Sequence, residues 1–488
     1  MSHGSDNGAA KPPVPPDDDI PATPPPKGKS IGKAQPIELA LNETHTDAAN
    51  GGHFAFQHGG HLRYVADVQR WITWDQSRWV YAVEGDLLRA AKETAESLLV
   101  YAVRVKNEQE RAAAFRWAIQ SANKPRLKAM IELASSEADM ELRVHELDAD
   151  PFLLNVENGT VNLRLGKMRE HHRSDFITKI VPIKYDPEAA CPRWLQFLTE
   201  VFGGDEELIG FVQRAIGYSL TGDTREHSLF LLWGNGCNGK SVFIEILRAL
   251  LGDLASATPM ATFTSKRDSS APTNDLAMLR GARLVTVQES DEASRFSEAT
   301  VKQLTGGDAI TARFLNKEFF TYMPQFKPWI ATNHKPKVKG TDDGFWRRVK
   351  LVPFTVSFLG REDKTLLDAL RGELPGILNW AIDGCIEWQM KGLGTAGAVA
   401  EATKEYREES DSIAEFIRDC CVLIPDATIS SARLYHLYSD WAEEHGERPM
   451  KQRTLIQSIL AREGISAMRS KIERGLSGIG ELRDSVTE

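Results

Sequence analysis

The sequence predicts an α/β fold. A mainly parallel, helix-covered sheet follows a mixed, mostly helical domain and precedes a small helix-and-ribbon module. Three observations carry this. Residues 225–355 alternate apolar strand runs with helical patterns, the order that builds a parallel sheet. Residues 50–220 set long helical patterns among a few short strand signals. From Ser410 onward, three helical patterns precede a ribbon, Ile465 to Leu482, with glycines at Gly475, Gly478 and Gly480.

In chain order, residues 1–45 hold Pro12, Pro13, Pro15, Pro16, Pro21, Pro24, Pro25 and Pro26, the run Asp17-Asp18-Asp19 and little apolar content. Such a segment cannot bury enough surface to offset its ordering entropy, so a disordered tail is expected. Residues 46–220 form the next domain. Trp71 to Trp74 and Trp79 to Tyr81 predict a β-ribbon, Gly85 to Val105 and Glu108 to Ala122 predict helices. Phe152 to Leu163 reads as two strands joined by an Asn158-Gly159 turn, and helices resume at Trp194 to Val201 and Leu208 to Leu220.

Residues 221–405 carry the chemistry. The apolar run Leu229 to Trp233 is followed by Gly234-Asn235-Gly236-Cys237-Asn238-Gly239-Lys240-Ser241 and then by the helical pattern Val242 to Leu251. Strand, glycine loop and helix in that order turn a GxxxxGK[ST] match into a P-loop. Its backbone N–H groups wrap a β-phosphate in front of the positive helix N-terminus. Lys240 would reach the β- and γ-phosphates and the Ser241 hydroxyl would ligate Mg²⁺. We therefore expect a P-loop NTPase core that binds ATP.

Hydrolysis also needs a carboxylate, a γ-phosphate sensor and, usually, an arginine. The buried-strand run Leu284 to Val287 ends at Gln288-Glu289, and Glu289 is the candidate to polarise water and help hold Mg²⁺. Phe326 to Thr332 is another apolar strand delivering Asn333, an amide able to orient the lytic water without adding charge. Arg347 and Arg348 close the segment Asp342 to Arg348 as candidate transition-state arginines. Their other reading is a surface salt bridge to Asp342 or Asp343. Between Glu289 and Asn333, residues 306–322 predict a hairpin around Leu315 to Glu318. Arg313 and Lys317 stand there as candidate DNA contacts, Lys317 at the tip.

Residues 406–488 suit a winged helix-turn-helix, with Lys451, Arg453, Arg469 and Lys471 as candidate DNA contacts. Over 451–474, six basic residues oppose only Glu463 and Glu473. This local patch matters because the net charge of −9 argues against coating nucleic acid by bulk charge. The five cysteines have no metal-ligand spacing, and no apolar stretch approaches the roughly 18 residues a bilayer requires. A cytoplasmic protein with no membrane partner is expected.

With these motifs placed, residues 153–354 resemble superfamily 3 helicases, and more closely the helicase part of phage, plasmid and poxvirus primase-helicases. The resemblance runs through Asn158-Gly159-Thr160, Cys191-Pro192-Arg193-Trp194, Gly217 to Gly222 and the glycine loop. It continues through Leu304 to Asp308, Ala331-Thr332-Asn333 and Phe345 to Arg348. Tyr438 to Trp441, Gly446 and residues 464–480 resemble the family's winged-helix tail. It implies an AAA+-like superfamily 3 ATPase over 221–405 and a primase-helicase-associated domain over 46–220. It also implies a homo-hexameric ring translocating 3′ to 5′ on single-stranded DNA, in which Arg347 or Arg348 completes a neighbour's site and Lys317 grips DNA. One departure is Gln288, standing where members often carry a second acid. Another is the short stretch before residue 153, where Asp148 and Asp150 alone do not make a primase. We expect a replicative helicase of a phage, prophage or plasmid in a bacterial host cytoplasm, acting on forked DNA beside a separate primase. An ATP-controlled initiator or loader is the other reading; a packaging motor lacks the acidic nuclease cluster it would need after the ATPase.

Overall fold

The computed structural model describes residues 45–264, 274–288, 295–313, 319–338, 342–445, 449–469 and 474–482. The tail expected over 1–45, all but its last residue, lies outside them, as do Glu289, Lys317 and Lys471. The described residues form two compact units, one of residues 45–64 with Ala82–Glu141, the other of Val65–Tyr81 with those from Leu142 on.

The first unit is helical: Asp47–His58, Glu84–Arg104, Glu108–Ser121 and Lys124–Ala134. Glu84–Arg104 buries Leu87, Ala90, Ala91, Thr94, Ala95, Leu98 and Ala102, the three-and-four spacing of one helix face. Asn107 starts the next helix by accepting from the N–H groups of Gln109 and Glu110.

In the second unit, the ribbon Arg70–Trp74 and Trp79–Tyr81 is antiparallel as expected. Leu153–Val156 and Gly159–Asn162 also pair, and a third strand, Lys167–Arg169, joins them. The turn falls on Glu157-Asn158 rather than Asn158-Gly159. Gly159 belongs to the strand, where a Cβ would sit 2.5 Å from the Arg169 carbonyl oxygen. Asp148 and Asp150 have local work: Asp148 accepts from Thr178 N–H, and Asp150 takes Phe152 N–H and the Arg164 guanidinium.

The main sheet is wholly parallel. In space its strands run Val349–Pro353, Leu229–Trp233, Lys327–Thr332, Leu284–Gln288 and Ala255–Ala257. Such strands are buried on both faces, and Phe230, Leu231, Leu232, Val285, Trp329, Ile330 and Leu351 are accordingly inaccessible or nearly so. One face carries the glycine-loop helix Lys240–Leu251, packed with Pro192–Val201, Glu206–Leu220 and Leu374–Lys391. Glu206–Leu220 and Leu374–Lys391 approach closely enough that a Cβ on Gly217 would lie 2.1 Å from Cys385 N. One on Gly384 would lie 2.2 Å from the Gln213 carbonyl oxygen. At the amino ends of two sheet strands, two buried cations hold main-chain oxygens: Arg283 donates to Leu220 O and Leu153 O, and Lys327 to the carbonyls of Thr221, Asp223 and Gln325. Cations suit the carbonyl end of helix Glu206–Leu220. Burial nonetheless lowers Arg283 to about 10 and holds Lys327 well below the usual lysine range, where the Arg283 charge adds to the penalty.

The last segment forms the expected helices Ser412–Cys420, Ser431–Glu444 and Gln452–Leu460 and the ribbon Ser466–Arg469 with Arg474–Ser477. Thr428–Ser430, a strand with no signal in the sequence pattern, pairs with the other side of Arg474–Ser477. These elements enclose their own core of Phe416, Leu434, Tyr438, Leu455, Ile459 and Leu476. Among the described residues, no helix is long and apolar enough to cross a membrane.

Candidate functional site

The glycine loop leaves the carboxyl end of Leu229–Trp233, which lies between the edge strand Val349–Pro353 and the central strand Lys327–Thr332, beside the point where the strand order reverses, the usual place for a ligand in a parallel sheet. A Cβ on Gly234 would stand 2.1 Å from the Phe354 carbonyl oxygen. Gly239 has φ +90° and a side chain there would strike Val201. Cys237 takes the left-handed region at φ 56°, and its carbonyl accepts from Phe358 N–H at 2.7 Å. Asn238 is buried and donates to Phe354 O at 3.0 Å, tying the loop to the end of the edge strand.

Lys240 opens the helix Lys240–Leu251 and is 6% exposed. Its ammonium donates to Gly234 O at 2.6 Å and Asn238 Oδ1 at 3.0 Å, two uncharged acceptors. Burial lowers it to about 8. A buried cation held by neutral oxygens, at a helix N-terminus, is a cradle that fits an anion. Asn235, Gly236, Cys237 and Ser241 are exposed around it, and a Cβ on Gly236 would meet nothing within 4 Å. Ser241 is the described residue able to offer a hydroxyl to a divalent cation there.

Register places the neighbouring strand ends level with the loop. Thr332 pairs with Trp233, the residue before Gly234, so exposed Asn333 begins its turn beside the glycine loop. Gln288 pairs with Ala331, so the strand that leads to Glu289 ends near the same level, one strand further out.

The two arginines separate cleanly. Neither joins Asp342 or Asp343, whose carboxylates bind Lys302 and Arg407 respectively, the latter at 2.6 Å. Arg348 is buried and donates to Gly344 O, bracing its own turn; burial and the Arg347 charge both lower it. Arg347 is exposed.

The other candidates stand apart from this cluster. The hairpin expected over 306–322 is present as Ile310–Ala312 paired with Phe320–Tyr322. Arg313 follows its first strand with its guanidinium 4.6 Å from the Phe319 ring, and the tip lies outside the described residues. In the C-terminal module Lys451, Arg453 and Arg469 are exposed, and Arg469 lies directly across the ribbon from exposed Arg474. Arg462, by contrast, is spent on Asp411 with two bonds of 2.7 Å. Sequence reasoning missed Lys335 and Tyr406. Lys335 lies 4.4 Å over the Trp233 ring, and Tyr406 reaches the segment after Asn333 from seventy residues away, a contact no local pattern records.

Three family models match the chain: D5 N terminal like over residues 52–203, a family of unknown function (DUF5906) over 232–348, and Poxvirus D5 protein-like over 408–461. The two D5-type matches, with the relatives that follow, are consistent with a primase-helicase family. Among curated relatives, "Putative helicase L207/L206" of Acanthamoeba polyphaga mimivirus is 30% identical over 61% of this chain and 34% of its own. "Putative helicase 022R" of Frog virus 3 is 26% identical over 57% and 31%. "Putative primase C962R" of African swine fever virus (isolate Tick/Malawi/Lil 20-1/1983) is 26% identical over 45% and 24%. The chain thus spans about a third or less of these relatives' length. The apo structure of the NrS-1 C-terminal region is similar at a TM-score of 0.50 with 11% identity, covering 90% of this chain and all of that one. That likeness concerns the fold alone.

Proposed function

We propose that this chain is the ATP-hydrolysing helicase motor of a phage, prophage, plasmid or viral DNA-replication system, working as a homo-hexameric ring on single-stranded DNA at a fork. The observation that carries the reading is the Lys240 ammonium, buried in a glycine loop and held by neutral oxygens, with Asn333 level with it on the next strand. In this reading the loop N–H groups and Lys240 bind the ATP phosphates. Ser241 and Glu289 would hold Mg²⁺, which would supply charge neutralisation for the phosphoryl oxygens. Asn333 orients a water whose oxygen attacks the γ-phosphorus. The bond to the ADP oxygen breaks, and the water's proton passes to Glu289. Arg347, the exposed member of its pair, reaches a neighbouring subunit's nucleotide, while Arg348 stays in its own turn. Arg313 and Lys317 on the hairpin and Lys451, Arg453, Arg469 and Lys471 on a winged helix contact DNA phosphates.

The test is ATP turnover and forked-duplex unwinding by the wild type and by Lys240→Ala. Loss of both in the variant is expected; a variant that keeps both ends the proposal. Lys317→Ala separates a motor from an initiator or loader: lost unwinding with retained ATPase supports the motor, and unchanged unwinding points to the loader.

A further inference from the structure

The helix Gly397–Glu409 lies against the edge strand Val349–Pro353, with the Thr403 hydroxyl accepting from Leu351 N–H at 3.1 Å. Its last turn grips two separate parts of the candidate site. Tyr406 is 1% exposed, and its ring meets Trp346 edge to face at 5.0 Å, one residue before Arg347. Its hydroxyl donates to the Pro336 carbonyl in the segment that follows Asn333. Arg407 holds Asp343, at the start of the four-residue helix Asp343–Trp346, at 2.6 Å. Glu409 binds Lys335 at 2.7 Å, and that ammonium also sits over the Trp233 ring, directly before the glycine loop. Two residues on, Asp411 caps the first helix of the C-terminal module and takes both bonds from Arg462.

We propose that Tyr406, Arg407 and Glu409 are positioning residues that set Arg347 and Asn333 together from one helix end. The inference rests on the ATPase reading above and extends it. The arginine turn is only four residues long, so its direction in space depends on contacts from outside, which include Lys302 on Asp342 and Phe296 against Phe345 as well as this helix end. Trp346 and Asp343 receive outside contacts from adjacent residues of one helix. The turn after Asn333 receives bonds from the same helix end, through Tyr406 and Glu409. A shift of this helix end therefore moves the water-orienting amide and the exposed guanidinium as one body, and two residues further on the C-terminal module begins.

The experiment measures ATP turnover by Arg407→Gln, Arg407→Lys and Asp343→Asn, each alone and on an Arg347→Ala background. The Asp343 side chain is 86% exposed, and such pairs contribute little to stability, so melting temperatures should stay near wild type. We expect Arg407→Gln to lower kcat about tenfold with KM within about twofold, and Arg407→Lys to recover most of the loss. On Arg347→Ala, Arg407→Gln should add nothing beyond about twofold, because its action passes through that arginine. Glu409→Gln should be equally silent on Asn333→Ala. Wild-type kcat in a folded Arg407→Gln protein, or losses that multiply with Arg347→Ala, would overturn the inference while leaving the ATPase reading intact. Asp343→Asn breaks the same pair from its exposed side and decides the matter in the same way should the Arg407 variants fold poorly. If Arg347→Ala itself turns over ATP at the wild-type rate, the trans-arginine reading falls and this inference falls with it.

Discussion

The Lys240 ammonium lies 2.6 Å from the carbonyl oxygen of Gly234, closing the glycine loop across its own mouth. Burial lowers this lysine to about 8 from an ordinary 10.5. Between those values the unfolded chain holds a proton that the folded chain has released, so stability should rise with pH there. Below about 8 both states are protonated and the penalty is fully present. Denaturant unfolding at pH 8 and pH 10 should show this rise in the wild type and a smaller one in Lys240→Met. Nucleotide binding should take up a proton above pH 8, weakening affinity as pH climbs, a trend calorimetry in buffers of different ionisation enthalpy would reveal.

Arg347 and Arg348 are adjacent in sequence and opposite in environment. Arg348→Ala removes a buried charged donor from Gly344 O and should destabilise the protein by about 2–3 kcal/mol, seen as a lower melting temperature. Arg347→Ala, at an exposed position, should leave melting within about 0.5 kcal/mol of wild type. Its loss of ATP turnover should exceed about tenfold. Equal thermal losses from the two substitutions would contradict the assignment.

Gly217 has no room for a methyl group beside Cys385 N. Gly217→Ala should force the helices Glu206–Leu220 and Leu374–Lys391 apart, at a cost of about 2–3 kcal/mol. Thermal unfolding of the full chain measures it. Gly236→Ala, whose Cβ meets nothing within 4 Å, is the control and should melt as the wild type does.

Arg469 and Arg474 face each other across an antiparallel ribbon, an arrangement that repels in the absence of a ligand. Replacing Arg474 by Thr should stabilise the unliganded protein by a few tenths of a kcal/mol. The Arg469→Ala/Arg474→Ala protein should bind duplex DNA more weakly and reduce the slope of log affinity against log salt by about 2. Fluorescence anisotropy across a salt series reads that slope. An unchanged slope would leave the ribbon as a protein-docking surface.

What the sequence disclosed followed from how local each feature is. The parallel sheet was legible because Leu229 to Trp233 and Phe326 to Thr332 are continuous apolar runs, as strands buried on both faces must be. The hairpins were legible from turn residues between β-rich stretches, although Gly159 proved to serve a third strand rather than the turn. Thr428–Ser430 escaped notice because three residues cannot display alternation. Within the candidate site, the loop residues are contiguous and announce themselves, and strand ends mark Asn333. The separation of Arg347 from Arg348 depends on Lys302 and Arg407 claiming the neighbouring carboxylates, partners dozens of residues away. The bonds from Tyr406 and Glu409 have the same character.

Arg283 and Lys327 clasp main-chain oxygens and no side chain of their acceptors. These hydrogen bonds are made to the backbone at positions 153, 220, 221, 223 and 325, so no particular side chain there is needed to accept them. The amino ends of these strands are thus fastened through the one part of the acceptor residues that every amino acid shares, and the identity that matters lies with the two cations.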